Sequence, residues 1–286
     1  MGVSPLASPA ESGYTMSTQL SPAALAFDAI ASEFDGRFGA WASVAAQRRA
    51  VRAALLRAFP AGGKILELGG GTGEDAAFLA ERGYDVSLTD SSPRMVSIAQ
   101  SKLTSLGARA EELALESLDN FADRRLLEGA DLFDGVFSNF APLNCVAELG
   151  PIARGLAKLL KPNAAAMLVV FGTICPGEIA TELLGGRPDR AFRRLKGGET
   201  SARLSGRDFS VVYHRMKELK RAFAPWFALE KRLGIGIAVP PSAAEPWISR
   251  HSRLLRTMES VDKLASRPLA FLGDHVLYQF RRNSAP

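Results

Sequence analysis

Apolar residues recur at helical spacing in two segments near the start of the chain. The first segment opens with Ser21-Pro22, a pair that is typical of a helix cap and first turn. The second extends from about Trp41 to Phe59 and is followed by a Pro-Ala-Gly-Gly stretch that would end a helix. The pattern therefore predicts two amphipathic helices ahead of the first strand.

From residue 64 onward, short apolar runs alternate with helical segments. The runs that predict strands are 64–68, 85–90, 110–115, 133–138 and 165–171. The segments that predict helices between them are 75–82, 93–106 and 146–160, and Lys161-Pro162-Asn163 would stop the last of these. Strands that alternate with crossover helices are typical of a parallel sheet with helices on both faces.

The alternation breaks after Gly172. The later pattern predicts a helix at 176–184, a β-hairpin of 201–204 and 208–214 joined by Ser205-Gly206-Arg207, a helix at 216–223, and strands at 227–235 and 275–281 with a helix at 246–264 between them. Insertions that interrupt a regular sheet order often cover an active site. We therefore predict an α/β fold: a doubly wound, seven-stranded, mostly parallel Rossmann-like sheet with N-terminal helices and a cap insertion.

The predicted domain organisation has four parts. Residues 1–20 are rich in Ser, Pro and Ala and are expected to form a disordered tail, in which Met16 is a candidate for the true start. The N-terminal helices and the cofactor-binding core occupy 21–172, the cap or lid occupies 173–214, and the C-terminal part of the core sheet occupies 215–286.

Composition agrees with a globular protein. Of the 286 residues 47% are hydrophobic, yet no apolar run approaches the roughly 18 residues of a membrane span, and no secretory signal is recognisable. We therefore expect a cytoplasmic protein with no membrane span. The two cysteines and three histidines lack metal-ligand spacing, so no metal site is expected.

Positive charge is concentrated between Arg187 and Arg232, where thirteen Lys and Arg accompany five Asp and Glu, although the whole chain carries only +5. A solvated helical face explains such a segment. Attraction of an anionic substrate, a membrane surface or nucleic acid is the alternative.

The clearest chemical signal is a glycine-rich loop, Gly-Gly-Gly-Thr-Gly at 69–73, between a predicted strand and a predicted helix. Glycines there let a ligand approach the main chain. Glu67 lies just before the loop, and Asp90 ends the next strand, where an acid can bind both hydroxyls of a ribose. A carboxylate at Glu67 suits an amino group better than a pyrophosphate. The G-x-G-x-G spacing also differs from the dinucleotide G-x-G-x-x-G, so a nicotinamide-dependent enzyme is the less favoured alternative.

These motifs resemble those of class I S-adenosylmethionine (SAM)-dependent methyltransferases. The segments that carry the resemblance are 65–73, 88–92 and 133–140. The segment Phe27–Asp35 is in addition similar to the Tyr-Asp-x-x-Ala-x-x-Tyr-Asp helix of ubiquinone- and menaquinone-type methyltransferases, with Phe at both Tyr positions. The resemblance is strong over roughly residues 25–175 and rests on topology alone for the last two strands.

The resemblance implies SAM as the cofactor and gives roles to the matching residues. The residues that would hold the methionine part are Glu67, Gly69, Gly71, Thr72 and Gly73. Asp90 would bind the ribose, and Ser91 and Met95 would flank the adenine. Asn139, at the end of the fourth strand, would face the methionine moiety and the transferred methyl group.

One departure from the family pattern concerns adenine recognition. The family often has an Asp after the third strand that accepts from the adenine amino group, and Ala114 stands at that position. Three alternatives remain for reading the base: the side chain of Glu116, the side chain of Ser117, or the backbone of Leu115.

A catalytic base is needed only when the acceptor arrives protonated, because the methyl donor is already activated. His214 and the adjacent Tyr213 are the candidates, since they follow the predicted hairpin and could line the cap. An ordinary histidine at a strand end is the alternative for His214. We expect His275 to be structural, because its strand is expected to start at the edge of the sheet opposite the ligand crevice.

Methyl transfer to O, N or C of a small molecule, aromatic or anionic in character, is the favoured function. The alternatives are an RNA or protein methyltransferase that uses the basic segment 187–232, and a non-catalytic protein that binds the cofactor. No nucleic-acid partner is expected, since the sequence contains no appended nucleic-acid module, and the oligomeric state is left open.

Overall fold

The computed structural model describes residues 20–284, and the predicted tail with Met16 falls almost wholly outside that range. The strands in chain order are β1 (Lys64–Leu68), β2 (Asp85–Asp90), β3 (Arg109–Glu112), β4 (Phe133–Ser138), β5 (Leu160–Phe171), β6 (Gly198–Leu204), β7 (Arg207–Tyr213), β8 (Phe227–Ile235) and β9 (His275–Arg282). One sheet has the order β3-β2-β1-β4-β5-β9-β8, and β6 pairs with β7 alone. The first five strands are parallel and β9 is antiparallel to both neighbours, which confirms the predicted seven-stranded, mostly parallel sheet.

Helices cover both faces of this sheet. In chain order they are α1 (Pro22–Phe38), α2 (Ala42–Ala58), α3 (Glu74–Ala80), α4 (Pro93–Leu103), α5 (Leu118–Leu127), α6 (Leu149–Leu159), α7 (Pro176–Leu184), α8 (Pro188–Ala191), α9 (Arg193–Lys196), α10 (Met216–Phe223) and α11 (Ser252–Ala265). One core layer joins the sheet to α2, α3 and α4, and a second joins it to α5, α6 and α10. Because each strand alternates its side chains between the two layers, every central strand is buried on both faces.

Several predicted boundaries were wrong. Helix α5 was not predicted, although Leu118, Phe121 and Ala122 give it a buried side. Strand β3 ends at Glu112 rather than near residue 115, because the chain turns into a short 3₁₀ helix there. Strand β5 begins at Leu160, before the Lys-Pro-Asn stretch, and the helix predicted at 246–264 begins only at Ser252.

The segment after Gly172 leaves the sheet, as the break in periodicity predicted. The turn of its hairpin has two residues, Ser205 and Gly206, which both adopt the positive φ of a type I′ turn, so Arg207 belongs to the strand. The hairpin packs on α1, where the rings of Phe27 and Phe209 lie 5.9 Å apart. Among residues 20–284, no helix is long and apolar enough to cross a membrane.

Candidate functional site

The glycine loop joins β1 to α3 at the carboxyl end of the parallel strands. Gly69 and Gly71 both have positive φ, 63° and 56°. A side chain on Gly69 would collide with Pro142 at 2.4 Å, whereas a side chain on Gly71 would meet nothing within 4 Å. Gly71 therefore presents bare backbone to open space, which is the geometry that a ligand approaching the main chain requires.

Asp90 binds this loop directly. Its Oδ2 accepts from the amide of Gly71 and its Oδ1 from the amide of Ser92, each at 2.9 Å. Burial raises the pKa of Asp90 above its ordinary value, although both amides act in the opposite direction. Each carboxylate oxygen keeps a free lone pair for a further donor, such as a ribose hydroxyl.

Glu67 is buried in the same crevice, with 2% of its surface exposed. Its Oε2 has no hydrogen-bond partner among the described residues. Burial raises the pKa of Glu67 well above its ordinary value, and the nearby Asp75 raises it further, against the opposing effects of Arg48 and Arg52. A buried carboxyl oxygen without a partner is costly, so an ammonium group at this point would satisfy both its charge and its hydrogen bond.

Two arginines that sequence analysis did not identify lie beside Glu67. Asp75 accepts from Arg48 at 2.9 Å and from Arg52 at 2.6 Å, and the amide of Asn139 donates to it at 2.8 Å. Arg48 and Arg52 are four residues apart on α2, so they project from one face of that helix. Their spacing was the available signal, but basic pairs on helices usually face solvent, and no local pattern indicated that this pair points inward.

Helix α1 covers the crevice and bonds the loops that follow β1 and β2. The hydroxyl of Thr72 donates to Asp35 at 2.5 Å, and the hydroxyl of Ser92 donates to Asp28 at 2.8 Å. These two aspartates belong to the segment Phe27–Asp35, so the acids of that motif bind the two loops on which the cofactor is expected. Lys102 also bonds Asp35, at 2.6 Å.

The residues expected around the adenine are distributed along the neighbouring loops. Ser91 and Met95 lie at the start of α4 beside Asp90, and Met95 is buried. The stretch 115–117 forms a short helical turn after β3, with Leu115 buried and Glu116 exposed. Burial, together with the charges of Glu116 and Asp90, raises the pKa of Cys145 to about 11, so this thiol lies near the same space.

Backbone strain marks the loop after β4. Phe140 and Ala141 both have positive φ, 55° and 64°, which residues with side chains rarely adopt in succession. Asn139 is buried and uses both ends of its amide, since its Oδ1 accepts from the amide of Phe140. Asn139 therefore links the strained loop to Asp75, and these hydrogen bonds stabilise the conformation of the loop.

The two predicted catalytic residues are both buried. The Nε2 of His214 lies 3.1 Å from the carbonyl of Leu143 and 2.9 Å from that of Val146. This nitrogen must therefore donate, and it is unable to accept a proton from a substrate at the same time. The ring of Tyr213 packs at 5.9 Å from Phe171, and burial raises the pKa of Tyr213.

The expected location of His275 was wrong. Strand β9 is antiparallel to β5, and its first residue, His275, pairs with Phe171, the last residue of β5. Its start therefore lies at the carboxyl edge of the parallel strands, on the ligand side. The sequence predicted a last strand but not its direction in the sheet, and the expected location of His275 was wrong for that reason.

Comparison with known proteins agrees with this fold. Similar solved structures include a SAM-dependent methyltransferase from Listeria monocytogenes (17% identity, 82% of this chain and 99% of that chain, TM-score 0.53) and one from Mesorhizobium loti (17%, 83% and 98%, 0.51). The 1,6-didemethyltoxoflavin-N1-methyltransferase of Burkholderia thailandensis is also similar (20%, 98% and 94%, 0.51). No curated protein matches the sequence significantly.

The doubly wound sheet, the open glycine loop and the acids at the tips of β1 and β2 define a class I SAM-dependent methyltransferase. The methyltransferase domain family matches residues 43–213, more than half of the chain, and the protein belongs to this family. S-adenosyl-L-methionine is accordingly its cofactor.

Proposed function

We propose that this protein transfers a methyl group from SAM to O, N or C of a small-molecule acceptor by in-line displacement. The observation that carries the proposal is the buried Glu67 carboxyl, whose Oε2 has no partner among residues 20–284, next to the open backbone of Gly71. An ammonium group supplies what Glu67 lacks. Asp90 lies one strand away, where it can accept from ribose hydroxyls.

The residues of the chain mainly bind, orient and exclude water. When bound, SAM supplies a methyl group that its sulfonium already activates, so alignment can provide most of the acceleration. Arg48 and Arg52 are placed to offset the negative charge of Asp75 and to favour an ionised Glu67. Asn139 fixes the strained loop after β4, and α1 covers the loops through Asp28 and Asp35.

The size of a neighbouring cavity supports a small acceptor. A space of about 340 Å³ lies between the start of α1 and the hairpin, and Ser21, Cys145 and Phe209 are among its lining residues. This volume falls in the range of small-ligand pockets. Cys145 connects the cavity to the surroundings of Asp90 and Glu116, which both act on its thiol.

Ion pairs within the basic segment argue against the macromolecular alternative. Arg187 pairs with Glu182 at 2.5 Å, Arg193 with Glu178 at 2.9 Å, and Arg194 is buried against Glu178 and Asp274. Three of the thirteen Lys and Arg of the segment are thereby engaged by acids, and Arg194 among them is buried. A protein that binds the cofactor without catalysis keeps the same Glu67 and Asp90 geometry, so turnover is what separates it from an enzyme.

Calorimetry with SAM and with S-adenosylhomocysteine tests the proposal first. We expect saturable binding of both by the full chain, followed by formation of S-adenosylhomocysteine when SAM is mixed with panels of phenols, amines and carboxylic acids. Saturable binding with no turnover on any panel would favour the non-catalytic alternative. Absence of binding to either compound would refute the assignment of the crevice.

A further inference from the structure

A second group of buried polar side chains lies at the ligand edge of the sheet, two strands from Asn139. Its centre is the pair Asp274 and His275 at the start of β9, with 5% and 6% of their surfaces exposed. None of the roles given above to Glu67, Asp90 or Asn139 involves this pair. The pair nevertheless lies at the same edge of the sheet as those residues.

His275 faces the same side of the sheet as the cofactor residues. Alternation along β9 puts His275 in the layer of Leu277, and alternation along β1 puts Glu67 in that same layer with Ile65. Strands lie about 4.8 Å apart, so β9 is roughly 10 Å from β4.

Two aromatic side chains hold the imidazole ring. Phe171 stacks on it with centroids 5.0 Å apart, and Phe140 of the strained loop approaches edge-on at 5.8 Å. Both phenylalanines are only partly buried, so the rings around the imidazole reach the opening of the crevice. Tyr213 packs behind Phe171 and completes an aromatic wall.

The surroundings of Asp274 determine which nitrogen of His275 holds the proton. The Nδ1 of His275 lies 3.4 Å from Oδ2 of Asp274 and makes no hydrogen bond to any described residue. A lone pair on Nδ1 would face that carboxylate, so the favoured tautomer has its proton on Nδ1. The lone pair of the neutral ring is then on Nε2.

Nε2 is the nitrogen of His275 that is not fully enclosed. No hydrogen bond joins it to a described residue, and it is not among the fully enclosed side-chain atoms that lack a partner. His214 differs in this respect, because its Nε2 is bound to two carbonyls. Among the three histidines of the chain, the exposed His251 lies apart on the surface, where its Nδ1 bonds the carbonyl of Trp247.

Helices α2, α7 and α9 each place a charged or polar group close to the pair. Arg194 of α9 donates to Oδ1 of Asp274 at 2.8 Å, and Glu178 of α7 binds the same guanidinium. Gln47 of α2 donates to Oδ2 at 3.2 Å. Burial alone would raise the pKa of Asp274, but His275 and Arg194 lower it, so the carboxylate is ionised at neutral pH.

Two further side chains, Arg48 and Tyr213, approach the pair only by way of the rings of Phe140 and Phe171. The third remaining neighbour is the thiol of Cys175. Arg48 lies 4.8 Å from the ring centre of Phe140, and Tyr213 contacts Phe171. Cys175 lies 3.8 Å from Oδ1 of Asp274, and burial raises the pKa of that thiol to about 12. The thiol is therefore neutral, and Oδ2 of Asp274 is the negative group that faces the imidazole.

We propose that His275, oriented by Asp274, is the base that accepts the proton of a phenol-type acceptor during methyl transfer. Phe140 and Phe171 would hold the acceptor ring beside His275, at a place distinct from the cavity that Ser21, Cys145 and Phe209 line, and Tyr213 would support Phe171 from behind. This inference rests on the proposed function.

The acceptor oxygen forms a bond to the methyl carbon while the carbon–sulfur bond breaks, and that bond pair passes to sulfur. The hydroxyl proton passes to Nε2, where Asp274 stabilises the imidazolium. The products are the methyl ether, S-adenosylhomocysteine and one proton, which the imidazolium later releases to water.

Nitrogen-15 NMR of histidine-labelled protein tests the proton placement without turnover. The chain has only three histidines, so His275→Gln assigns the signals. We expect the neutral ring of His275 to hold its proton on Nδ1, and Asp274→Asn to redistribute it between the nitrogens. A proton on Nε2 of the neutral wild-type ring would overturn the proposal, because no lone pair would then face the acceptor.

Methyl transfer to a series of phenols tests the role itself. With saturating SAM, His275→Gln should lower the rate on weakly acidic phenols about 100-fold or more. It should lower the rate on 4-nitrophenol, which is largely ionised in mildly alkaline solution, far less. His214→Gln is the matched control, a second buried histidine that should show no such dependence on acceptor acidity.

The other outcomes separate the two proposals. Equal losses on acidic and weakly acidic phenols would reduce His275 to a positioning residue and overturn its role as base. Normal SAM binding with no wild-type turnover on any phenol would overturn the acceptor class. Absence of SAM binding by the wild-type protein would instead refute the proposed function. The SAM affinity of His275→Gln should equal that of the wild type.

Discussion

Glu67 occupies a position that a carboxyl group does not favour by itself. It is buried, one oxygen lacks a partner among the described residues, and Asp75 lies close enough to raise its pKa. Such a residue is retained at a cost to folding that a positively charged ligand offsets. The sequence predicted this role from position alone, because an acid at the end of β1 precedes bare backbone. The arginines that modulate it come from α2, and no local pattern indicated them.

The raised pKa of Glu67 predicts that cofactor binding releases a proton. Because burial raises the pKa of Glu67, the free protein holds this proton more tightly than an ordinary glutamate does. Pairing with an ammonium group favours the ionised form, so affinity should rise with pH below the pKa of the free carboxyl, by at most about tenfold per unit. Calorimetry in buffers of different ionisation enthalpy measures the proton release directly. Glu67→Gln should weaken SAM binding and abolish the pH dependence while leaving stability unchanged or higher. The absence of any proton release on binding would contradict this account.

Asp90 gives a second prediction at the residue scale. Asp90→Ala removes the acceptor of the Gly71 amide and of the ribose hydroxyls, so we expect a loss of about 2 kcal/mol in SAM binding, about thirtyfold. Asp85→Ala, at the other end of the same strand, is the control and should leave affinity within about twofold. Equal affinity of Asp90→Ala and the wild type would remove the ribose role.

At the scale of elements, α2 joins two sites that lie on different strands. Arg48 and Arg52 bind Asp75 beside the cofactor crevice, and Gln47, one residue earlier, binds Asp274 at the start of β9. The periodicity of α2 predicted its existence and apolar side correctly. The polar face of α2 contacts particular strand ends because of the angle at which the helix crosses the sheet. That angle is set by tertiary packing and not by the local sequence.

The segment after Gly172 is tied to the sheet by Arg194. Its guanidinium bonds Glu178, Asp274 and the carbonyl of Gly172, all buried. Arg194→Ala would therefore leave the buried Asp274 without its arginine and Glu178 with Arg193 alone. We expect a loss of about 3–5 kcal/mol in the free energy of unfolding, measured with denaturant. Arg190→Ala, in an exposed position on α8, is the control and should change it by less than about 0.5 kcal/mol. Similar values for both variants would show that the cluster does not anchor the segment.

At the scale of the whole molecule, the distribution of charge bears on the acceptor. The basic segment 187–232 suggested a surface for an anionic partner, yet three of its arginines are paired with acids of α7 or with Asp274, which precedes β9. A free basic face would bind RNA with a steep dependence on salt, because each neutralised phosphate releases counterions.

Titration with single-stranded RNA tests whether the basic segment 187–232 is a free surface for nucleic acid. We expect weak binding that varies little between about 50 and 200 mM salt. Tight binding with a steep salt dependence, reversed by Arg203→Glu and Arg207→Glu on the exposed hairpin, would favour the macromolecular alternative. The matched pair Arg187→Glu and Arg193→Glu should destabilise the protein instead, because those arginines already have acidic partners.

The sequence by itself determined the local features of this protein. Alternating apolar runs predicted the strands and helical spacing predicted most helices. The loop at 69–73 with Glu67 and Asp90 carried the resemblance that implied the cofactor, because each of these features depends on residues close in the chain. Helix α5 was missed because its apolar side is short and lies among charges.

The tertiary structure decided the features that depend on the direction of a strand or on how a helix crosses the sheet. It placed His275 at the ligand edge, because the antiparallel course of β9 is set by pairing with β5 and β8, far away in sequence. It also turned Arg48, Arg52 and Arg194 inward, because their acidic partners lie on other elements and only folding brings them together.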